Sequence, residues 1–139
     1  MYDREFPVFG ICQGFEELHL FANDDKPDTL GYVNIYAESR PLSWQVNPKE
    51  SRMFANFPSD LLTALEREET TLHAHDYVIK SEKYKEDNPL NDFFKILATD
   101  TKVYDDGSSD EFVVAVEAYH YPIAGVMFHP ETQNIRVMG

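Results

Sequence analysis

The chain has 139 residues, with 25 aspartates and glutamates against 12 lysines and arginines, a net charge of −13 with histidine neutral. That length allows one domain. The charge excludes general binding to a phosphate backbone or to anionic lipid, both of which need clustered lysine and arginine. Hydrophobic residues at 42% and aromatics at 14% exclude a disordered acidic tail. The apolar runs are too short for a membrane helix, and the single cysteine, Cys12, excludes an internal disulfide.

In chain order, Asp3, Arg4 and Glu5 with no apolar stretch behind them read as no signal peptide. Residues 6–11 read as a strand, with Pro7 near its start, where a missing N–H is tolerated. Residues 13–22 then turn helical, with Phe15, Leu18 and either Phe21 or Ala22 on one face. Residues 23–28, rich in Asn and Asp with one Pro, are a turn, and residues 30–36 a strand. Pro41, Pro48 and Pro58 break up the stretch 37–58. Ser59 reads as the N-cap of a helix carrying Leu61, Leu62 and Leu65, and Glu66, Glu68 and Glu69 as its solvated end. Residues 71–80 alternate as a strand with His73 and His75 on one face. Residues 81–91 read as a charged loop, 93–99 as a strand, and 105–110 as a turn. Two further strands follow at 111–119 and 123–128.

The most informative segment is Gly10-Ile11-Cys12-Gln13-Gly14, a G-x-C-x-G sequence between a strand and a helix. This is the thiol form of a nucleophile elbow. The strand must stop abruptly, expose the nucleophile and pass straight into a helix. Gly10 and Gly14 permit the tight turn and close helix–strand approach. The backbone N–H of Gln13 is placed to meet a developing oxyanion, and a helix N-terminus favours the thiolate. The alternative is a small buried apolar cysteine between two glycines.

A second segment, Gly125-Val126-Met127-Phe128-His129-Pro130-Glu131, reads as a strand ending in His-Pro-Glu. A histidine at one strand end reaches a nucleophile at a neighbouring strand end, and Glu131 is placed to return and hold its imidazole. Together they make a Cys12–His129–Glu131 triad. The alternative is a surface turn with a solvated histidine. The pair His73 and His75 also admits a metal reading, which lacks a completing cysteine or carboxylate set. His19 and His120 carry no assigned role and are expected to be solvated or locally bonded.

Taken together, the two segments resemble class I glutamine amidotransferase-like proteins, and within them the gamma-glutamyl hydrolases. The likeness rests on residues 6–18, where Glu16 stands in place of the glutamine usual four residues after the cysteine of a glutaminase. It rests also on residues 51–58 and on residues 117–122 leading into His-Pro-Glu. The resemblance implies an α/β, flavodoxin-like three-layer sandwich with a mostly parallel sheet. It implies Cys12 as nucleophile, His129 as general base and Glu131 as its orienting partner. It also implies His75 as a substrate-binding residue and no cofactor. The implied substrate is a folate polyglutamate or another gamma-glutamyl peptide, and a lysosomal, vacuolar or extracellular location goes with it. A basic pocket for that anionic substrate would draw on Arg40, Lys49 and Arg52.

Compared with the family, residues 1–139 read as a partial domain, without the strands before the nucleophile strand and without a carboxy-terminal region. The incomplete sheet implies exposed edges that a protein partner would cover. The rival reading is a non-catalytic homologue serving as a structural or interaction subunit. Neither reading involves nucleic acid or membrane insertion.

Overall fold

The computed structural model describes residues 6–86 and 89–130, and its spine is the run 112–118, buried throughout. Phe112, Val113, Val114, Ala115 and Val116 are fully shielded, as an apolar run covered on both faces must be. They belong to β6 (Ser109–Ala118). Along one side β6 pairs antiparallel with β5 (Phe94–Val103) from Phe94↔Ala118 to Val103↔Ser109. On its other side lie β7 (Ile123–Val126) and β4 (Thr71–Lys80). Strand β1 (Val8–Ile11) joins β7, and β2 (Gly31–Arg40) joins β4. The short β3 (Ser43–Trp44) pairs with β5, completing seven strands among the described residues.

The α/β class agrees with the sequence. Within the described residues, however, parallel pairing is confined to β1 and β7, and the other pairings are antiparallel. Connection length explains this for the strands around β6. Residues 104–108 and 119–122 link β5 to β6 and β6 to β7, far too short for the crossover that a parallel pair needs.

Helix α1 (Gln13–Ala22) has the predicted bounds. Phe15 is buried, Leu18 and Ala22 are half-buried against the core, and Phe21 is exposed, so the face runs through 15, 18 and 22. His19 is buried as well. Its Nδ1 lies 2.9 Å from the Phe15 carbonyl and its Nε2 2.6 Å from the Tyr84 hydroxyl. Nδ1–H therefore donates to the carbonyl and Nε2 accepts from the phenol, and burial holds the ring neutral with its pKa pushed down to about 4.

Two expectations are corrected. Helix α2 (Ser59–Arg67) begins at Ser59 itself with Pro58 at the cap position, since the fixed φ of proline suits the entry to a helix. The charged stretch 81–91 is not simply a loop. It holds α3 (Glu82–Lys85) and α4 (Pro89–Phe93), each pulled inward by one large residue, Tyr84 and Leu90. Among the described residues no helix is long and apolar enough to cross a membrane.

Glu117 is a carboxylate inside the central strand, 5% exposed. It accepts from the Arg52 amide at 3.0 Å and the Met53 amide at 3.3 Å, and the Arg52 guanidinium lies 3.7 Å away. It thereby ties the irregular middle of the chain to the spine. Glu117→Ala leaves those two amides without their acceptor. The expected loss is about 2 kcal/mol of unfolding free energy, read from the urea midpoint at neutral pH.

Candidate active site

Strands β1 and β7 run parallel in register through Ile11↔Val126, so their chains leave the sheet at the same edge. Cys12 follows Ile11 directly, and its amide donates to the Val126 carbonyl at 2.9 Å. Beyond Val126 the chain continues to His129, whose amide donates to the Leu72 carbonyl of β4 at 2.9 Å. Cys12 Sγ lies 3.8 Å from the Ala74 carbonyl, two residues further along the same strand. The thiol, His129 and His75 therefore converge on one stretch of β4.

Cys12 has φ 53° and ψ −103°, a conformation that a residue with a β-carbon rarely adopts. Holding it costs about 1–3 kcal/mol. The thiol makes no capping bond to the helix that starts at Gln13, so it stands at the helix N-terminus, where the peptide dipoles favour the thiolate. Gln13 is the first residue of α1, and backbone N–H groups of a first turn have no acceptor inside the helix. This is the local geometry expected of an elbow.

The glycines divide unevenly. A β-carbon at Gly10 would stand 2.7 Å from both the Gly14 carbonyl oxygen and Leu18 Cδ1, whereas one at Gly14 would meet nothing within 4 Å. Close approach therefore depends on Gly10 and not on Gly14, a correction to the symmetrical reading. Gly125, opposite Gly10 in the register, shares the constraint, since a β-carbon there would lie 3.0 Å from the Gly10 carbonyl. Two facing glycines let α1 settle directly onto the β1–β7 pair.

An open cleft of about 480 Å³ lies over the thiol, lined by Cys12, Gln13, Glu16, His75, Asp76 and Tyr77 among others. Glu16, one helical turn beyond Cys12, has its pKa pushed up to about 7, first by burial and then by the charges of Glu17 and Asp76. A carboxyl whose folded-state pKa is raised contributes most below its unfolded pKa of 4.5 and loses that contribution as pH rises toward 7. Glu16→Gln is therefore expected to gain thermal stability over the parent between pH 5 and pH 7.5. The difference between the two melting curves isolates this carboxyl, because the buried histidines are common to both.

His75 is 9% exposed and lines the cleft, while His73 is fully buried behind it. Their rings are hydrogen-bonded, His73 Nδ1 to His75 Nε2, at 3.0 Å. Burial pushes both pKa values down, to about 3 for His73 and about 4 for His75, and the nearby His129 pushes the same way. Among the described residues no group of three His, Cys, Asp or Glu side chains is placed to hold a metal. Glu131 lies outside the described residues. His120 is exposed.

The basic pocket expected from Arg40, Lys49 and Arg52 is not formed at the thiol. Arg40 Nε lies 2.5 Å from Asp100 and its Nη1 2.8 Å from Glu38. Lys49 Nζ donates to the Phe57 carbonyl at 2.5 Å, and Arg52 pairs with Glu117. Local carboxylates and carbonyls claim all three. The described lining instead carries Glu16, Glu17 and Asp76. Sequence reasoning used Glu16 only to separate subfamilies and passed over Asp76, Tyr77 and Gly125. Alternation on β4 offered a signal only for the face shared by His73 and His75.

Residues 1–136 match the family model described as glutamine amidotransferase class-I. The chain is 40% identical over 126 residues to the gamma-glutamyl hydrolase of Bos taurus, 38% to that of Rattus norvegicus and 36% to that of Homo sapiens. These alignments cover 91% of this chain but only 37%, 38% and 37% of the three proteins. The chain thus spans less than two fifths of the length of these relatives.

Proposed function

The chain belongs to the class I glutamine amidotransferase family, and we propose that it carries the nucleophile and base of a cysteine-dependent hydrolase of gamma-glutamyl amide bonds. The observation that carries this reading is the strained elbow at Cys12 beside the strand that delivers His129. Similarity to proteins named gamma-glutamyl hydrolase supplies the bond type.

In the proposed reaction His129 takes the thiol proton and the Cys12 sulfur attacks the gamma-carbonyl carbon. The carbonyl π pair moves to oxygen, where the Gln13 N–H donates to it. Collapse expels the amine, which takes its proton from His129, and leaves a thioester on Cys12. Water then attacks the thioester as His129 removes its proton, and the thiolate leaves and is reprotonated. Glu131 orients His129, and His75 contacts the glutamyl group in the cleft. The acidic lining suits the ammonium end of a gamma-glutamyl peptide better than the carboxylates of a long polyglutamate. By the same likeness the protein works in a lysosome, a vacuole or outside the cell.

The test is release of free glutamate from gamma-linked and alpha-linked diglutamate. Cleavage of the gamma isomer alone supports the reading. The exposed Val8 and Phe9 of β1, the outermost strand of the described sheet, with exposed Phe6 just before it, favour the second reading, a subunit that binds a partner there and turns over neither isomer.

A further inference from the structure

We propose that Asp76 selects substrates whose gamma-glutamyl group carries a free alpha-ammonium, so that an unacylated, amino-terminal gamma-glutamyl residue is the group passed to Cys12. The proposal rests on the hydrolase reading and names the substrate class within it.

Strand β2 is irregular opposite Asp76. From the pair Tyr32↔Tyr77 to the pair Ile35↔His75, β2 advances three residues and β4 only two. The extra residue makes a bulge, a device that re-aims side chains beside functional sites. Val33 and Asn34 share the place opposite Asp76. Val33 is buried, whereas Asn34 is turned outward and its amide donates to Asp76 Oδ1. The Asn34 carbonyl accepts from Lys102 of β5, whose Nζ also lies 5.5 Å from the centre of the Tyr104 ring. That cation is thus engaged, and among the described residues no ion pair reaches Asp76. Its carboxylate is exposed, held at one oxygen and open at the other.

Around the thiol the described lining contains no lysine or arginine, and its charged members are Glu16, Glu17 and Asp76. Glu16 feels the other two as repelling charges. A cation entering the cleft relieves that repulsion, and a further anion adds to it.

Spacing sets where the cation sits on the substrate. Cys12 Sγ lies beside the Ala74 carbonyl, and β4 advances about 3.3 Å per residue, so Asp76 stands roughly 7 Å further along. In a gamma-glutamyl group the alpha-nitrogen is four bonds from the attacked carbon, roughly 5 Å when extended. A charge-assisted hydrogen bond of about 2.8 Å closes the remaining distance. The alpha-carboxylate then faces the open mouth of the cleft. Acylation of the nitrogen removes the positive charge and leaves the negative one. A chain in which every glutamyl nitrogen is acylated, as in a folate conjugate, is therefore the poorer substrate.

The experiment compares kcat/KM for gamma-glutamylglycine and glutarylglycine at neutral pH. Glutarylglycine lacks the amine, keeps the carboxylate and adds no bulk. The parent is expected to favour gamma-glutamylglycine about thirtyfold. Asp76→Asn keeps the oxygen that Asn34 binds and removes the charge. It should erase most of the preference, chiefly by raising KM for gamma-glutamylglycine. Calorimetric binding of both compounds to Cys12→Ala, with and without Asp76→Asn, makes the same comparison in the absence of turnover.

Equal kcat/KM for the two compounds in the parent overturns the proposal, as does an Asp76→Asn protein that slows both alike. If neither compound is hydrolysed, the hydrolase reading falls and calorimetry still decides the contact. Tighter binding of the amine that is lost with Asp76→Asn upholds it, and equal or absent binding overturns it.

Discussion

Cys12→Ala is expected to lower gamma-glutamyl hydrolysis by about 10⁴–10⁶-fold, the range over which loss of a nucleophile leaves only residual catalysis from positioning. The thermal midpoint should stay close to the parent, because the thiol caps nothing and an alanine tolerates φ 53° no worse than a cysteine does. Cys12→Gly is equally inactive but should be about 1 kcal/mol more stable than Cys12→Ala, since glycine adopts that φ without penalty. Activity and urea denaturation of the three proteins separate the two effects. Equal hydrolysis by parent and Cys12→Ala would sink the mechanism. A Cys12→Gly protein no more stable than Cys12→Ala would show that the elbow stores no strain.

Gly10→Ala carries the second large effect. Its methyl group would sit 2.7 Å from the Gly14 oxygen and from Leu18 Cδ1, and only the leucine can swing aside. Helix α1 must lift from β1, at a cost of roughly 1–3 kcal/mol for overpacking. The same shift moves Gln13 and the helix N-terminus away from the thiol, so alkylation of Cys12 by iodoacetamide at neutral pH should slow. Gly14→Ala is the internal control. It has open space and lies within the helix, where alanine is favoured over glycine by roughly 0.5–1 kcal/mol. The two substitutions, four residues apart, should therefore change stability in opposite directions, and a shared direction would refute the packing account.

The elbow was legible in the sequence because its constraints are local. A strand, a glycine, a cysteine and a helix in that order leave little else for residues 8–22 to do. The His129 segment was legible only in part: a strand was expected there, but β7 ends at Val126, three residues short of His129, so Pro130 does not set its end. What escaped was set by distant partners. The hydroxyl of Thr71 is claimed by the Arg40 carbonyl, 31 residues earlier in the chain. The fate of Arg40 itself depends on Asp100 across the sheet. Counting three cations in the irregular middle said nothing of which carboxylates would claim them first. Strand direction was misjudged for a related reason. The likeness suggested a mostly parallel sheet, while the short links on either side of β6 require antiparallel neighbours. Residues 81–91 looked like loop by charge, yet one buried tyrosine and one buried leucine were enough to organise two short helices there.

Among the described residues strand β1 pairs only with β7, so the segment that ends in the proposed nucleophile is the outermost of the described sheet. Its ladder has four residue pairs, against nine for the β5–β6 pair. Opening free energy scales with what must be broken, so amide protons at the start of β1 should exchange with solvent well before those of β6. The proposed catalysis and global folding then fail at different points on a denaturation curve. The thiol's environment dissolves while the spine is still intact, and mild denaturant would silence the site in a protein that remains largely folded.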